Sequence, residues 1–348
     1  MALAPRTTLE LGGAARHFIT AEDDATVAEA LRWAGEQQLP VAILGGGSNL
    51  VVADAGFDGL VIAMAQRGVE ITMRGATAQV IARAGEPWDA LVAMTVERDL
   101  SGLECLSGIP GLVGATPIQN VGAYGQEVAE TIASVRVLDR AAGQVHVLDN
   151  GQCGFRYRDS AFKRDPERHV VLSVTFALTL GGEPALRYAE LVEALAPAGA
   201  TPDLASVRET VIALRRDKSM VIDPDDENRR SAGSFFTNPI VSAEQAARVV
   251  QQALDEGLVE RAAQVPQYPA DGERVKLAAG WLIERAGFAK GTRRGHVGIS
   301  SRHALGLVHH GGATTAELLD LAREVRDGVQ RRFGVTLVPE PVLLGVTL

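Results

Sequence analysis

SGIPGLVGATPIQNVGAYGQE, residues 107–127, is the stretch around which the rest of the chain is organised. Gly108, Gly111, Gly114, Gly122 and Gly125 fall within it, and it carries almost no charge. It is too rich in glycine for a helix, where each interior glycine costs about 1 kcal/mol against alanine. It also lacks the period-two alternation of a half-buried strand. Pro110 and Pro117 remove two backbone donors and fix φ. The expectation is one long apolar loop with backbone N–H groups unobstructed by side chains, able to approach a polyanion or lie against a large ring. A turn-rich loop packed in a core is the other reading. Long ordered loops inside domains are usually functional, which favours the first.

Working outward, 348 residues suit two or three domains, and the apolar fraction suffices for sizeable cores. The net charge of −9 has no long like-charge block and excludes a general nucleic-acid binder. No apolar run reaches membrane-spanning length, and the N-terminus lacks a signal-peptide core, so no membrane association and a cytoplasmic location are expected. Cys105 and Cys153 form no C-x-x-C pair; buried thiols in a reducing compartment are expected.

Taken in order, residues 15–21 read as a strand. Thr26 and Glu29 have capping-box spacing, and Val27, Ala30, Leu31 and Ala34 mark one helical face. Pro40 is expected to end that helix, and VAILG (41–45) to be a buried strand completing a β-α-β unit. It delivers the chain into GGGSN (45–49). That run fails the dinucleotide fingerprint, with Leu50 at the last glycine position, and it lacks the Gly-Lys-Ser/Thr of a P-loop. A pyrophosphate-wrapping turn between strands and a plain tight turn both remain open. Strands follow over 60–65, 69–74 and 78–85, then a helix from Pro87 to about Arg98. Beyond the glycine-rich stretch lie strands 133–139 and 144–149, strand 170–178, a short helix within 186–195 and a helix over 207–216. Residues 224–231 are polar and turn-like, a boundary. Helices are expected over 242–256 and 277–286, strand-like segments around 296–300 and 304–309, and a helix capped by Thr314 and Glu317 that ends at Phe333 before Gly334. A terminal strand VTLVPEPVLLGV (335–346) holds Glu340 between Pro339 and Pro341.

Three polar residues are framed by restrictive neighbours: Arg158 in YRDS, Ser234 between Gly233 and two phenylalanines, and Glu340 between prolines. Each alone reads as a surface group or a cap. Together with GGGSN (45–49), SGIPGLVGATPIQNVGAYGQE (107–127), YRDSAFK (157–163), AGSFFTNP (232–239), KLAAGWLIE (276–284) and VPEPVLLG (338–345), in this order, they closely resemble the bacterial UDP-N-acetylenolpyruvoylglucosamine reductases. The likeness spans almost the whole chain, and the segment carrying Tyr188 resembles the longer subtype.

The resemblance implies an α+β fold: a vanillyl-alcohol-oxidase-type FAD-binding fold of two α+β subdomains, residues 1–64 with 335–348 and residues 65–215, plus an α+β domain over 216–334 for the UDP-sugar. It implies non-covalent FAD, with NADPH as reductant, and a UDP-sugar enolpyruvyl ether as substrate. FAD would lie on Gly45, Gly46, Gly47, Ser48 and Asn49, on Ser107, Gly108, Ile109, Pro110 and Gly111, and on Gly114, Ala115, Thr116, Asn120, Gly122, Ala123 and Tyr124. Substrate contacts carried over are Tyr188, Lys218 and Asn238, with Tyr124 and Lys276. Hydride addition to C3 of the conjugated alkene builds charge on the substrate carboxylate. Arg158 would clamp it bidentately, a protonated Glu340 would donate to it, and Ser234 would protonate C2. The segment 284–291 lacks a glutamine that some members use on substrate. Arg293 and Arg294 read as surface cations. No metal is expected, because His296, His303, His309 and His310 fit no ligand spacing, and the chain is expected to be a monomer. A flavin oxidase of the same fold and a binding module without catalysis are the alternatives. The absence of histidine from both glycine loops counts against the first, and the intact Arg158, Ser234 and Glu340 set against the second.

Overall fold

The computed structural model describes residues 1–196 and 202–348. It is α+β, and it divides into two compact units. The first comprises Met1, Ala15–Gly47 and Asp58–Ile222; the second comprises Ala2–Ala14, Ser48–Phe57 and Asp223–Leu348.

The chain opens with β1 (Ala15–Ala21), α1 (Asp24–Glu36), β2 (Val41–Leu44), β3 (Leu50–Val52) and β4 (Phe57–Met64). Helix α1 starts earlier than Thr26 suggests. Asp23 is extended, and its carboxylate accepts from Thr26 N at 2.7 Å. Aspartate is a stronger cap than threonine, so it takes the N-terminus. The helix also stops well before Pro40, because Gln38 turns the chain at φ 55°. Strands β1 and β2 are not neighbours: β4 lies between them, parallel to β2 with Val41 opposite Leu60.

Next come β5 (Val69–Arg74), β6 (Thr77–Arg83), α2 (Trp88–Glu97) and β7 (Leu100–Ser101). The glycine-rich stretch departs from a single irregular loop. It forms a 3₁₀ turn over Val113–Ala115, then a small hairpin of β8 (Gly122–Ala123) and β9 (Gln126–Glu127). Tyr124 and Gly125 make the turn at φ 48° and 79°, the left-handed pair that a tight hairpin requires. Then follow β10 (Ile132–Asp139), β11 (Val145–Asp149), α3 (Asn150–Cys153), α4 (Ala161–Arg164), β12 (His169–Leu180), α5 (Ala189–Leu195) and α6 (Leu204–Asp217). The main sheet of the first unit runs β11-β10-β12-β6-β5, antiparallel throughout. In β6 the buried residues are Ala78, Val80 and Ala82, every second position, as one covered face demands. Trp88 seals this core against Phe176, and its indole N–H donates to Leu106 O at 3.0 Å.

The second unit holds β13 (Ser231–Ser234), β14 (Ile240–Ser242), α7 (Ala243–Asp255), β15 (Gln267–Pro269), β16 (Arg274–Leu277) and α8 (Ala279–Arg285). It ends with β17 (Arg293–Arg294), β18 (Val297–Ile299), β19 (Gly306–His309), α9 (Thr315–Phe333) and β20 (Val342–Leu344). Its sheets are β13-β19-β18-β17, β14-β16-β15 and the parallel pair β20-β3. Leu277, expected at the start of a helix, pairs in β16 instead. Asn238 Oδ1 accepts from Ala279 N at 2.9 Å, and α8 begins there. Helix α9 has the expected reciprocal box of Thr314 and Glu317, and Gly334 closes it at φ 67°. The terminal strand is shorter than expected, because two prolines without N–H groups leave only Val342–Leu344 to pair with β3. The core gathers Phe235, Phe236, Leu282, Ile283, Leu318 and Val325.

Candidate active site

In the first unit the two glycine loops meet backbone to backbone. A Cβ on Gly46 would stand 2.8 Å from Gly111 Cα, a distance that side-chain-bearing residues do not tolerate. Gly114 is equally confined, 2.6 Å from Ala84 Cβ. Several polar side chains of the stretch turn inward and brace it. Ser107 Oγ donates to Glu104 O at 2.6 Å, and Thr116 Oγ1 to Val113 O at 2.8 Å. The buried Asn120 donates to Glu127 and to Arg156 O and accepts from Ala129 N. These three, expected on the cofactor, have their side chains committed to the loop itself. What they leave toward a ligand is backbone.

Arg158 is docked on the same stretch. Its guanidinium donates to Gly122 O at 2.5 Å and Asn120 O at 3.3 Å, and a Cβ on Gly122 would lie 3.0 Å from its Nη1. Lys163 Nζ holds the Arg158 carbonyl at 3.0 Å. Asn120, Tyr124 and Arg158 all take left-handed backbone conformations. Such strain persists only where the surroundings enforce it, and it gathers at functional positions.

Tyr124, Tyr188 and Lys218 come together in this unit. The two rings meet edge to face at 5.6 Å, and Lys218 Nζ stands 5.7 Å from the Tyr124 ring centre. Burial pushes the Tyr124 phenol up to about 12, so it stays protonated at neutral pH. Lys218, at the C-cap of α6, also pairs with Glu190.

In the second unit, residues 235–237 pair with residues 338–340. Glu340 N donates to Phe235 O at 2.9 Å, Phe236 bridges to Pro339, and Thr237 N donates to Val338 O at 3.1 Å. Ser234 and Glu340 are thereby brought to neighbouring positions. The Phe235 and Phe236 rings are fully buried and fix the strand. Open space lies beside Gly233: nothing described stands within 4 Å of where its Cβ would be, its chain neighbours aside. Asn49 bonds to the segment twice, donating to Glu340 O and accepting from Val342 N. Asn238 and Lys276 are near neighbours, since Ile240 faces Lys276 across β14 and β16. Arg293 and Arg294 are exposed, as expected, and Arg294 pairs with Glu324 at 3.2 Å.

Sequence reasoning missed three groups. Asp89, in the first turn of α2, accepts from Gly108 N at 2.6 Å and is gripped by both Nη atoms of Arg208. The buried Glu104 accepts from Gly102 N, Ala185 N and Gln126 Nε2, tying the hairpin to the segment that precedes Tyr188. Its signal was a lone charge in the apolar run LSGLECLSG. Arg215 packs its stem near Gly108, and its Nε is buried with no hydrogen-bond partner among the described residues. Burial lowers its pKa to about 10, and it remains a cation at neutral pH.

Glycine loops in backbone contact, with polar side chains turned away, fit a phosphorylated, ring-bearing group held by main-chain donors. The comparisons agree. Residues 15–149 match a family described as "FAD binding domain", and residues 223–344 match "UDP-N-acetylenolpyruvoylglucosamine reductase, C-terminal domain". The UDP-N-acetylenolpyruvoylglucosamine reductase of Saccharopolyspora erythraea is 53% identical over 100% of this chain and 95% of its own. That of Streptomyces coelicolor is 50% identical over 99% of this chain and 90% of its own. The crystal structure of the Thermus caldophilus enzyme of that name superposes with a TM-score of 0.66 at 27% identity, covering 99% of this chain and 97% of that one.

Proposed function

The chain belongs to the family of UDP-N-acetylenolpyruvoylglucosamine reductases, FAD-dependent oxidoreductases, and from that premise we propose how its own residues carry the reaction. The substrate is the enolpyruvyl ether of UDP-N-acetylglucosamine, and the product is UDP-N-acetylmuramate, a peptidoglycan precursor. NADPH is the reductant. FAD, held by residues 45–49 and 107–124, supplies hydride transfer when bound. Everything else falls to side chains of this chain.

Arg158 binds the substrate carboxylate. Its guanidinium is held by two loop carbonyls, so little orientational freedom remains to be lost when charge develops. Glu340, protonated beside that carboxylate, donates to the same developing charge. Ser234 Oγ gives its proton to C2. The observation that supports these roles is the hydrogen-bonded pairing of residues 235–237 with 338–340, which joins the segment after Ser234 to the segment carrying Glu340, with the Phe235 and Phe236 rings buried beneath it. Lys218 and Asn238 take the diphosphate, and Tyr124, Tyr188 and Lys276 complete the sugar-nucleotide site. Two buried free thiols suit a reducing cytoplasm, where we place the enzyme as a monomer. Among the described residues no helix is long and apolar enough to cross a membrane.

The test begins with acid precipitation, which should release all flavin to the supernatant. The intact yellow protein should then bleach anaerobically with NADPH and recolour when the enolpyruvyl sugar is added. Flavin retained by the precipitate, or no anaerobic recolouring when the enolpyruvyl sugar is added, would refute the proposal.

A further inference from the structure

Lys218, proposed above to hold the diphosphate, already has an anion at its ammonium. Nζ lies 2.5 Å from Glu190 Oε2. Glu190 sits in the first turn of α5, two residues after Tyr188. Lys218, Tyr124, Tyr188 and Glu190 therefore form one cluster, in which the Glu190 carboxylate touches the Lys218 ammonium. Both partners of the ion pair are about a third exposed, at 33% and 39%, so a soluble anion can reach the lysine.

A carboxylate on the ammonium that a phosphate needs is either a brace or an occupant. A brace would be buried and bound on several sides, as Glu104 is by three N–H donors. Glu190 has one described ionic partner, and its side chain is partly exposed. We propose that Glu190 is a placeholder: it occupies Lys218 until a diphosphate displaces it, and so sets how strongly charged a ligand must be to take the lysine. One carboxylate carries one negative charge, whereas the diphosphate of a UDP-sugar carries two. The exchange therefore favours the diphosphate and disfavours neutral or weakly charged ligands. The pair is exposed enough to exchange readily, since pairs of this kind hold their partners by at most about fivefold.

The inference rests on reading Lys218 as the diphosphate ligand, and the experiment separates the two claims. Flavin-loaded wild type, Glu190→Gln, Lys218→Met and the double variant are titrated calorimetrically with UDP and with uridine at low ionic strength. Glu190→Gln should bind UDP about fivefold tighter, with uridine unchanged. The gain should shrink with added salt and vanish in the double variant. Unchanged or weaker UDP binding by Glu190→Gln, beside a clear loss in Lys218→Met, overturns the placeholder and leaves Lys218 in its role. Wild-type UDP binding by Lys218→Met removes the lysine from the site, and the placeholder with it.

Discussion

Replacing Asp89 by alanine should weaken FAD binding although Asp89 lies outside both glycine loops. Its Oδ1 accepts from Gly108 N at 2.6 Å and from Arg208 Nη1 at 2.6 Å, and its Oδ2 from Arg208 Nη2 at 2.8 Å. A hydrogen bond to a charged group contributes about 1.5–3 kcal/mol. Asp89 is 40% exposed, so the lower end applies to the Gly108 bond. Leaving Arg208 without its partner adds about 1 kcal/mol to the loss of folding stability. The Gly108 share alone, ~1.5 kcal/mol, corresponds to roughly tenfold weaker FAD. Asp89→Asn keeps an acceptor but no charge and should fall between. Burial alone would raise this carboxyl, but the Arg208 hydrogen bonds, the Gly108 N–H and the Arg208 and Arg215 charges outweigh it and hold the pKa below the usual range. The clamp's contribution is therefore complete above the unfolded value of 3.8 and is lost as pH falls through the lower folded value. Flavin fluorescence titration of apoprotein, with urea midpoints alongside, measures both effects. A lower midpoint with unchanged FAD affinity would refute the clamp on the flavin loop.

Gly46→Ala should yield folded protein without flavin, because the new methyl meets Gly111 Cα at 2.8 Å and the backbone must shift; flavin absorbance per protein reads it, and full occupancy would contradict the close approach. Neither thiol should react with a disulfide reagent in the native protein at pH 8, since both are buried and burial pushes each up to about 12. Both should titrate in denaturant, and fast native labelling of either would show that its packing is wrong.

Local chemistry made much of this fold legible. The box of Thr314 and Glu317 and the stop at Gly334 each act within one turn, and α9 stands where they put it. What depends on distant partners was not legible. The insertion of β4 between β1 and β2, and the capture of Leu277 by β16, are set by strands far away in sequence. Sequence places Ser234 and Glu340 more than a hundred residues apart; the pairing of residues 235–237 with 338–340 brings their segments together. The framing residues that made them conspicuous do physical work: buried phenylalanines fix one and prolines keep the other out of the terminal strand. Asp89 and Glu190 were invisible because an acidic residue near a helix start reads as an ordinary favourable charge until its partner is known.

The central claim is that Ser234 Oγ delivers the proton to C2, and stopped-flow flavin absorbance of Ser234→Ala tests it most directly. Reduction by NADPH needs no proton on the substrate and should keep near wild-type rate. Reoxidation by the enolpyruvyl sugar should slow by about 10²–10⁴-fold, the usual contribution of a positioned acid, and Ser234→Cys should recover part of it. Unimpaired reoxidation would mean that the proton comes from another group, and equal loss in both halves would mean that the substitution damages the fold or the flavin site instead.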